Sequence, residues 1–182
     1  MSDFEFKGFP KLHRLNREII ISEKIDGTNA QILVSDDGLS LVAGCRTRFL
    51  TPEADNFGFA AWVAEHRDDL LRLGPGRHFG EWWGAGIQRR YGQSKKRFSL
   101  FNTTRWASAT DRPGCCNTVP LLYRGPFSQL EINRCLDALT RYGSAAAPGW
   151  KKPEGIVVFH TAAGIGFKVT FEHDHDGKEV LS

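Results

Sequence analysis

Ile19-Ile20-Ile21-Ser22-Glu23-Lys24-Ile25-Asp26-Gly27-Thr28-Asn29 decides how this chain is read. A β-branched apolar run delivers Lys24 to the mouth of a tight Asp26-Gly27 turn, and Ala30-Gln31-Ile32-Leu33-Val34 resumes a strand pattern. A lysine so placed is held close to rigid backbone. Its amine becomes a nucleophile only on losing a proton, and the reference lysine pKa is about 10.4. Burial or a neighbouring cation lowers that value. Lys-x-Asp-Gly alone also describes a surface lysine beside a hairpin turn, so the weight falls on what the rest of the chain places with it.

Working outward, Glu18 to Ser22 and Phe4-Glu5-Phe6 read as early strands. Ala30 to Ser35, the turn cluster Asp36-Asp37-Gly38 and Leu39 to Ala43 form a hairpin signal. Phe57 to Leu73 has apolar residues at helical spacing and ends at Gly74-Pro75-Gly76, so it is expected to be one helix. His78 to Trp82 and Phe98 to Phe101 read as buried strands, and Asp111 to Val119 as a surface loop. Ser128 to Tyr142 reads as a second amphipathic helix, opened by Ser128 with Glu131 three residues on, a capping-box spacing. Ser144 to Gly149 is a small-residue loop, followed by strands at Gly155 to His160 and Gly166 to Glu172. The expected class is α+β, with much antiparallel sheet, a few peripheral helices and a single domain over 1–182.

The 182 residues suffice for one domain with a sizeable core. Hydrophobic residues make up 41% and charged residues 25%, an ordinary globular balance. No apolar stretch approaches the roughly 20 residues of a membrane span, and the N-terminus lacks the pattern of a secretory signal. A cytoplasmic protein with no membrane association is expected. Net charge is only +3, so the total does not name a partner. Cys45, Cys115, Cys116 and Cys135 show no metal-ligand spacing and read as free thiols.

Several chemistry-bearing residues fall at strand ends beside glycines. Gly44-Cys45-Arg46-Thr47-Arg48 offers two guanidiniums on alternate positions. Phe79-Gly80-Glu81-Trp82-Trp83-Gly84 sets a carboxylate between a glycine and two tryptophans, and a buried carboxylate needs a partner. Trp82 and Trp83 cannot both face one core, so one is expected at the surface or under a loop. Phe98-Ser99-Leu100-Phe101-Asn102 is a strand ending in an aromatic, Pro153-Glu154-Gly155 starts a strand with a carboxylate, and Gly166-Phe167-Lys168-Val169-Thr170 returns a lysine. These are the groups that nucleotide transfer to lysine requires: an amine for the α-phosphate, cations against phosphate charge, carboxylates for a divalent metal and the ribose, and an aromatic and an apolar wall around the base.

In this order and spacing, from about Lys24 to Lys168, the motifs resemble those of the covalent nucleotidyltransferase superfamily of ATP-dependent ligases and RNA capping enzymes. Gly27-Thr28-Asn29 is similar to the RNA ligase branch, where DNA ligases usually carry an arginine two residues after the glycine. The resemblance implies an antiparallel-sheet nucleotidyltransferase, an ATP-grasp-like ligase adenylation domain. It implies that Lys24 forms a lysyl-adenylate and that Glu23 presents its backbone to adenine. Asn29 would join the nucleotide-binding residues, Arg46 would contact the ribose or the 3′-hydroxyl side, and Arg48 would be a partner on the nucleic acid. Glu81 would bind ribose hydroxyl. Phe101 would stack on adenine, with Phe98 in that place if the register shifts. Glu154 would bind metal near Lys24, and Lys168 would contact the α-phosphate and favour the neutral amine of Lys24.

The cofactors implied are ATP and Mg²⁺ or Mn²⁺. The reaction implied joins 5′-phosphate and 3′-hydroxyl RNA ends. A DNA ligase, a capping-type guanylyltransferase and a non-catalytic nucleotide- or RNA-binding module are the competing readings. Two positions depart from the family pattern: Thr170 stands where a second lysine is usual, with Lys178 a weak replacement, and Asn102 where an aspartate is common. About ten residues follow the last motif, so either this domain suffices or a separate protein supplies further substrate binding. Arg89, Arg90, Lys95 and Lys96, with Tyr91 and Arg97 in the same run, are expected to form a phosphate-binding rim on the nucleic acid.

Overall fold

The computed structural model describes residues 5–172. Two antiparallel-dominated sheets carry the chain. In order the elements are β1 (Glu18–Lys24), β2 (Thr28–Val34), β3 (Leu41–Gly44), β4 (Phe49–Leu50), α1 (Phe59–Glu65), α2 (Arg67–Leu70), a 3-10 turn (Leu71–Leu73), β5 (Gly76–Gly84), β6 (Lys96–Leu100), β7 (Cys116–Thr118), β8 (Leu121–Pro126), α3 (Gln129–Tyr142), β9 (Gly155–His160) and β10 (Ile165–Thr170). The first sheet has the order β10-β9-β1-β8 and the second β4-β3-β2-β5-β6-β7. All pairings are antiparallel except β6 with β7.

β1 and β2 are not a hairpin. β1 lies between β8 and β9 in the first sheet, while β2 lies between β3 and β5 in the second. The chain changes sheets across Ile25-Asp26-Gly27. The period-2 alternation of β1 then divides its residues: Ile19 and Ile21 are fully buried and pack with Ile132, Cys135 and Leu139 of α3 and with Ile156 and Val158 of β9. The intervening Ile20, Ser22 and Lys24 face the other way. In the second sheet Ala30, Ile32, Val34, Trp82, Phe98 and Leu100 pack against Phe59 and Val63 of α1. Each sheet buries one face under helix and leaves the other for a site.

α3 starts as its sequence predicts: the Ser128 hydroxyl oxygen accepts from the Glu131 backbone N–H at 3.3 Å. Glu131 itself accepts from Arg134. The expected single helix over Phe57 to Leu73 is broken at His66. There the backbone N–H donates to Trp62 O at 3.1 Å, while the ring Nδ1 lies 2.9 Å from the same oxygen. The carbonyl of one turn is thus capped by one residue, and Asp68 and Asp69 open α2, where a helix N-terminus favours acids.

Two further expectations need correction. Glu5 and Phe6 form no strand, and Phe4 lies outside the described residues. The presumed loop over Asp111 to Val119 contributes β7 to the second sheet, with Cys116 buried beside Phe98. β8, an edge strand reading Leu-Leu-Tyr-Arg-Gly-Pro, carried no recognisable strand alternation. Trp82 and Trp83 are both buried, in different clusters: Trp82 lies against α1, and Trp83 packs under the loop carrying Tyr91. The four cysteines are free, with Cys115 and Cys116 Sγ atoms 3.9 Å apart. No helix among the described residues is long and apolar enough to cross a membrane.

Candidate active site

The free faces of the two sheets enclose a cavity of about 820 Å³, within the range of nucleotide-sized ligand sites. Ile20, Ser22, Lys24, Val157 and Phe159 line it from the first sheet, and Asn29, Glu81 and Phe101 from the second, with Arg46 at the β3–β4 turn. Antiparallel register explains the first set: Ile20 lies opposite Phe159, Ser22 opposite Val157 and Lys24 opposite Gly155.

Lys24 ends β1 at the seam between the sheets, and its Nζ donates to Glu154 Oε2 at 2.8 Å. Glu154 reaches it because Gly155 begins β9 directly against β10. Gly155 has φ +151°, and a Cβ there would sit 2.1 Å from Val169 O, so only glycine fits. Gly27 is required by close approach: its Cβ would lie 2.5 Å from Trp82 O and 2.7 Å from Trp83 Cβ.

That approach brings the Gly27 N–H to Glu81 Oε1 at 3.0 Å, while Asn29 Nδ2 donates to Glu81 Oε2 at 3.4 Å. Arg46 Nε donates to Asn29 Oδ1 at 3.0 Å, so a hydrogen-bonded chain runs from the Arg46 guanidinium to the Glu81 carboxylate. Glu81 is almost fully buried. Burial pushes its carboxyl up to about 7, against the pull of the Lys24 ammonium and the Gly27 N–H.

Glu23 borders the cavity, but its side chain is spent elsewhere. The carboxylate accepts from the Ala145 and Ala146 N–H groups at 2.8 and 2.9 Å, burial pushes its pKa up, and Oε1 has no hydrogen-bond partner among the described residues. Phe101 lies across the cavity from Val157. Val157 was not anticipated: an apolar wall was expected but unassigned, and its place three residues after Glu154 was the only available signal. Phe98, the alternative to Phe101, is fully buried in the core beside Phe59 and is excluded from the cavity.

Lys168 does not line the cavity. It lies opposite Val157 and therefore on the same sheet face, exposed at the rim, with Thr170 opposite Gly155. Lys178 lies outside the described residues. Arg48 is turned away: its guanidinium donates to Ala54 O at 2.6 Å and to Phe49 O and Asp55 O, which ties it to the loop before α1.

The basic run is equally divided. Arg89 Nε donates to Asp26 Oδ2 at 3.0 Å and its NH2 to Glu172 Oε2 at 2.6 Å, while the Tyr91 hydroxyl oxygen accepts from the Asp26 N–H at 2.9 Å. Arg89 and Tyr91 therefore brace the turn after Lys24, a role the sequence did not suggest. Gln88, Arg90 and Tyr91 all have positive φ, so the bracing loop is a strained one. Lys96 Nζ donates to Phe57 O at 2.7 Å. Arg90 and Lys95 are exposed.

No three His, Cys, Asp or Glu side chains cluster as a metal cage among the described residues. Glu81 in the cavity and Glu154 beside Lys24 at its edge supply hard oxygen donors, the donor type that Mg²⁺ and Mn²⁺ take when most of their ligands are water and phosphate oxygen.

Solved structures share this architecture. A Naegleria gruberi RNA ligase, a glutamate-to-alanine mutant with AMP and Mn, is 17% identical with a TM-score of 0.64, over 90% of this chain and 52% of that chain. Another glutamate-to-alanine mutant, with ATP and Mn, is 19% identical with a TM-score of 0.63, over 91% and 53%. A lysine-to-alanine mutant without ligand is 18% identical with a TM-score of 0.63, over 85% and 50%. The chain thus spans about half the length of the RNA ligases it matches. No curated protein matches it. The RNA ligase family model matches residues 17–170, which takes in both sheets and every wall of the cavity, and the chain belongs to the RNA ligase family.

Proposed function

We propose that the chain is an ATP-dependent RNA ligase, a single ligase adenylation domain of the nucleotidyltransferase type, acting through a lysyl-adenylate on Lys24. The observation that carries this reading is the Lys24 amine, 2.8 Å from Glu154, at the edge of a nucleotide-sized cavity walled by Phe101 and Val157. The Naegleria gruberi enzymes that share the fold were solved with ATP or AMP and Mn, which supports ATP and a divalent metal as the cofactors here.

In the first step the neutral Lys24 amine attacks the α-phosphorus of ATP. An N–P bond forms, the bond to the bridging oxygen breaks, and pyrophosphate leaves. Nζ donates to Glu154 Oε2 at 2.8 Å, and attack requires its lone pair to be free. Lys168, an exposed cation on the same sheet face as Val157, would meet phosphate charge. Adenine would stack between Phe101 and Val157, with the Glu23 backbone at its edge and Glu81 and Asn29 toward the ribose. Glu154 would hold the divalent metal, which when bound supplies positive charge against the triphosphate. Next AMP passes to an RNA 5′-phosphate. A 3′-hydroxyl then attacks that phosphate and AMP departs. Arg46 would serve these nucleic-acid steps.

Incubation with α-labelled ATP and Mg²⁺ or Mn²⁺, followed by a denaturing gel, tests the reading. The wild type is expected to retain label and Lys24→Ala to lose it. Label retained by Lys24→Ala would refute the choice of nucleophile. A non-catalytic nucleotide-binding module is the second reading, favoured by Thr170 on the cavity-side face. Nucleotide binding by the wild type without any covalent label would decide for it.

A further inference from the structure

Outward from Phe101, the second sheet continues the face of the nucleotide site past the cavity. Arg77 and Phe79 of β5 share it with Glu81 by alternation, and Gln31 of β2 lies opposite Phe79. Phe79 is 53% exposed and Phe101 42% exposed. A single exposed phenylalanine is ordinary, but these two are neighbours across the β5–β6 edge, where the Phe101 N–H donates to Phe79 O. Both line a second, smaller cavity of about 130 Å³ with Arg77 and Arg105, and that cavity shares Phe101 and Asn102 with the nucleotide cavity. The face is therefore continuous with the site.

Its arginines bond to neutral partners among the described residues. Arg77 donates to Gln31 Oε1, Arg105 donates to Leu73 O and stacks 4.6 Å over the Trp106 ring, and Arg46 donates to Asn29. None of these three arginines forms an ion pair with a carboxylate among the described residues, whereas Arg89, Arg124 and Arg134 all do. Neutral partners fix the guanidiniums in place without cancelling their charge.

We propose that this face binds unpaired nucleotides of the RNA strand whose end enters the cavity. A base stacks on Phe79, and phosphates lie on Arg77 and Arg105. Exposed aromatic rings between fixed cations suit a single strand, because a duplex hides its base faces in the stack and leaves nothing for the rings to stack on. The inference rests on the ligase reading and deepens it: the substrate class is RNA with an unpaired end.

Fluorescence anisotropy with a short 5′-phosphorylated single-stranded oligoribonucleotide tests it, with a blunt RNA duplex as the second probe. Phe79→Ala is expected to weaken single-strand binding by about fivefold or more and to leave duplex binding unchanged. Arg77→Gln is expected to lower the salt slope of single-strand binding by about 0.7, which a change in fold alone would not produce. Single-strand affinity that is unchanged in Phe79→Ala, or equal losses on both probes, would overturn the proposal. Self-adenylation is measured on the same proteins. Loss of label in the wild type speaks against the ligase reading, while anisotropy judges the face separately.

Discussion

Glu81→Gln should make the protein more stable above neutrality and leave it nearly unchanged in mild acid. Burial raises the Glu81 carboxyl from 4.5 to about 7 in the folded state. A raised acid binds its proton more tightly when folded, so its contribution is whole below the unfolded value and is lost as pH rises through the folded one. At about pH 8 the ionised carboxylate costs about 3 kcal/mol relative to the unfolded chain, and at about pH 5 less than about 1 kcal/mol. Glutamine removes this dependence. It keeps an acceptor for the Gly27 N–H but sets its amide against Asn29 Nδ2, which donates to Glu81 at 3.4 Å, at a cost of about 1 kcal/mol. The variant should therefore be more stable by about 2 kcal/mol at about pH 8 and roughly equal at about pH 5. Urea denaturation followed by tryptophan fluorescence across this range measures the difference, and subtracting the two proteins cancels the other titrating groups. A difference that stays flat with pH would refute the burial argument. The same variant should bind ATP more weakly, since the cavity loses its inner carboxylate.

Further outcomes follow from the contacts. Arg89→Ala should reduce self-adenylation, because Arg89 braces Asp26 in the turn after Lys24, whereas Lys95→Ala, at an exposed position, should affect at most RNA joining; labelling rates compare them. Phe101→Ala should raise KM for ATP by about fivefold or more with little change in thermal stability. Phe98→Ala should cost about 3–5 kcal/mol of stability, since Phe98 is fully buried. Gly155→Ala should destabilise by at least about 1–3 kcal/mol, because its Cβ would meet Val169 O at 2.1 Å, and a midpoint shift in denaturant reads it.

What the sequence disclosed was what local periodicity carries. β1, β2, β3, β5, β6, α3, β9 and β10 were legible from alternation, turn residues and a cap. β7 was not, because Cys116-Asn117-Thr118 has no apolar rhythm and becomes a strand only by pairing with β6. The break at His66 depends on its imidazole reaching back to Trp62 O, which helical spacing does not encode. In the site, Lys24, Glu81, Phe101 and Glu154 were legible from the order and spacing of the Lys-Ile-Asp-Gly, Gly-Glu-Trp-Trp, Leu-Phe-Asn and Pro-Glu-Gly segments. Arg48 was assigned to nucleic acid by the resemblance and Arg89 by the charge of its run. Charge in a sequence does not say whether a guanidinium finds carbonyls, as Arg48 does, or carboxylates, as Arg89 does. The cations of the β5 face, which have no carboxylate partner among the described residues, are not legible in the sequence because Arg77 and Arg105 stand apart there and meet only in the fold.

The placement of the site follows from one topological fact. Between Lys24 and Thr28 the backbone leaves one sheet and enters the other, so three residues must turn the chain without filling the space between the sheets. Any side chain at Gly27 would collide with the Trp82 carbonyl, and an unbraced Asp26 would let the crossing fray. Arg89, Tyr91 and Glu81 all bond to this crossing, from a strand and loop far along the chain. The same bonds that close the fold therefore fix the Lys24 amine relative to Glu81 and Phe101. Damage to the crossing should cost stability and adenylation together, whereas damage to Phe101 should cost adenylation alone.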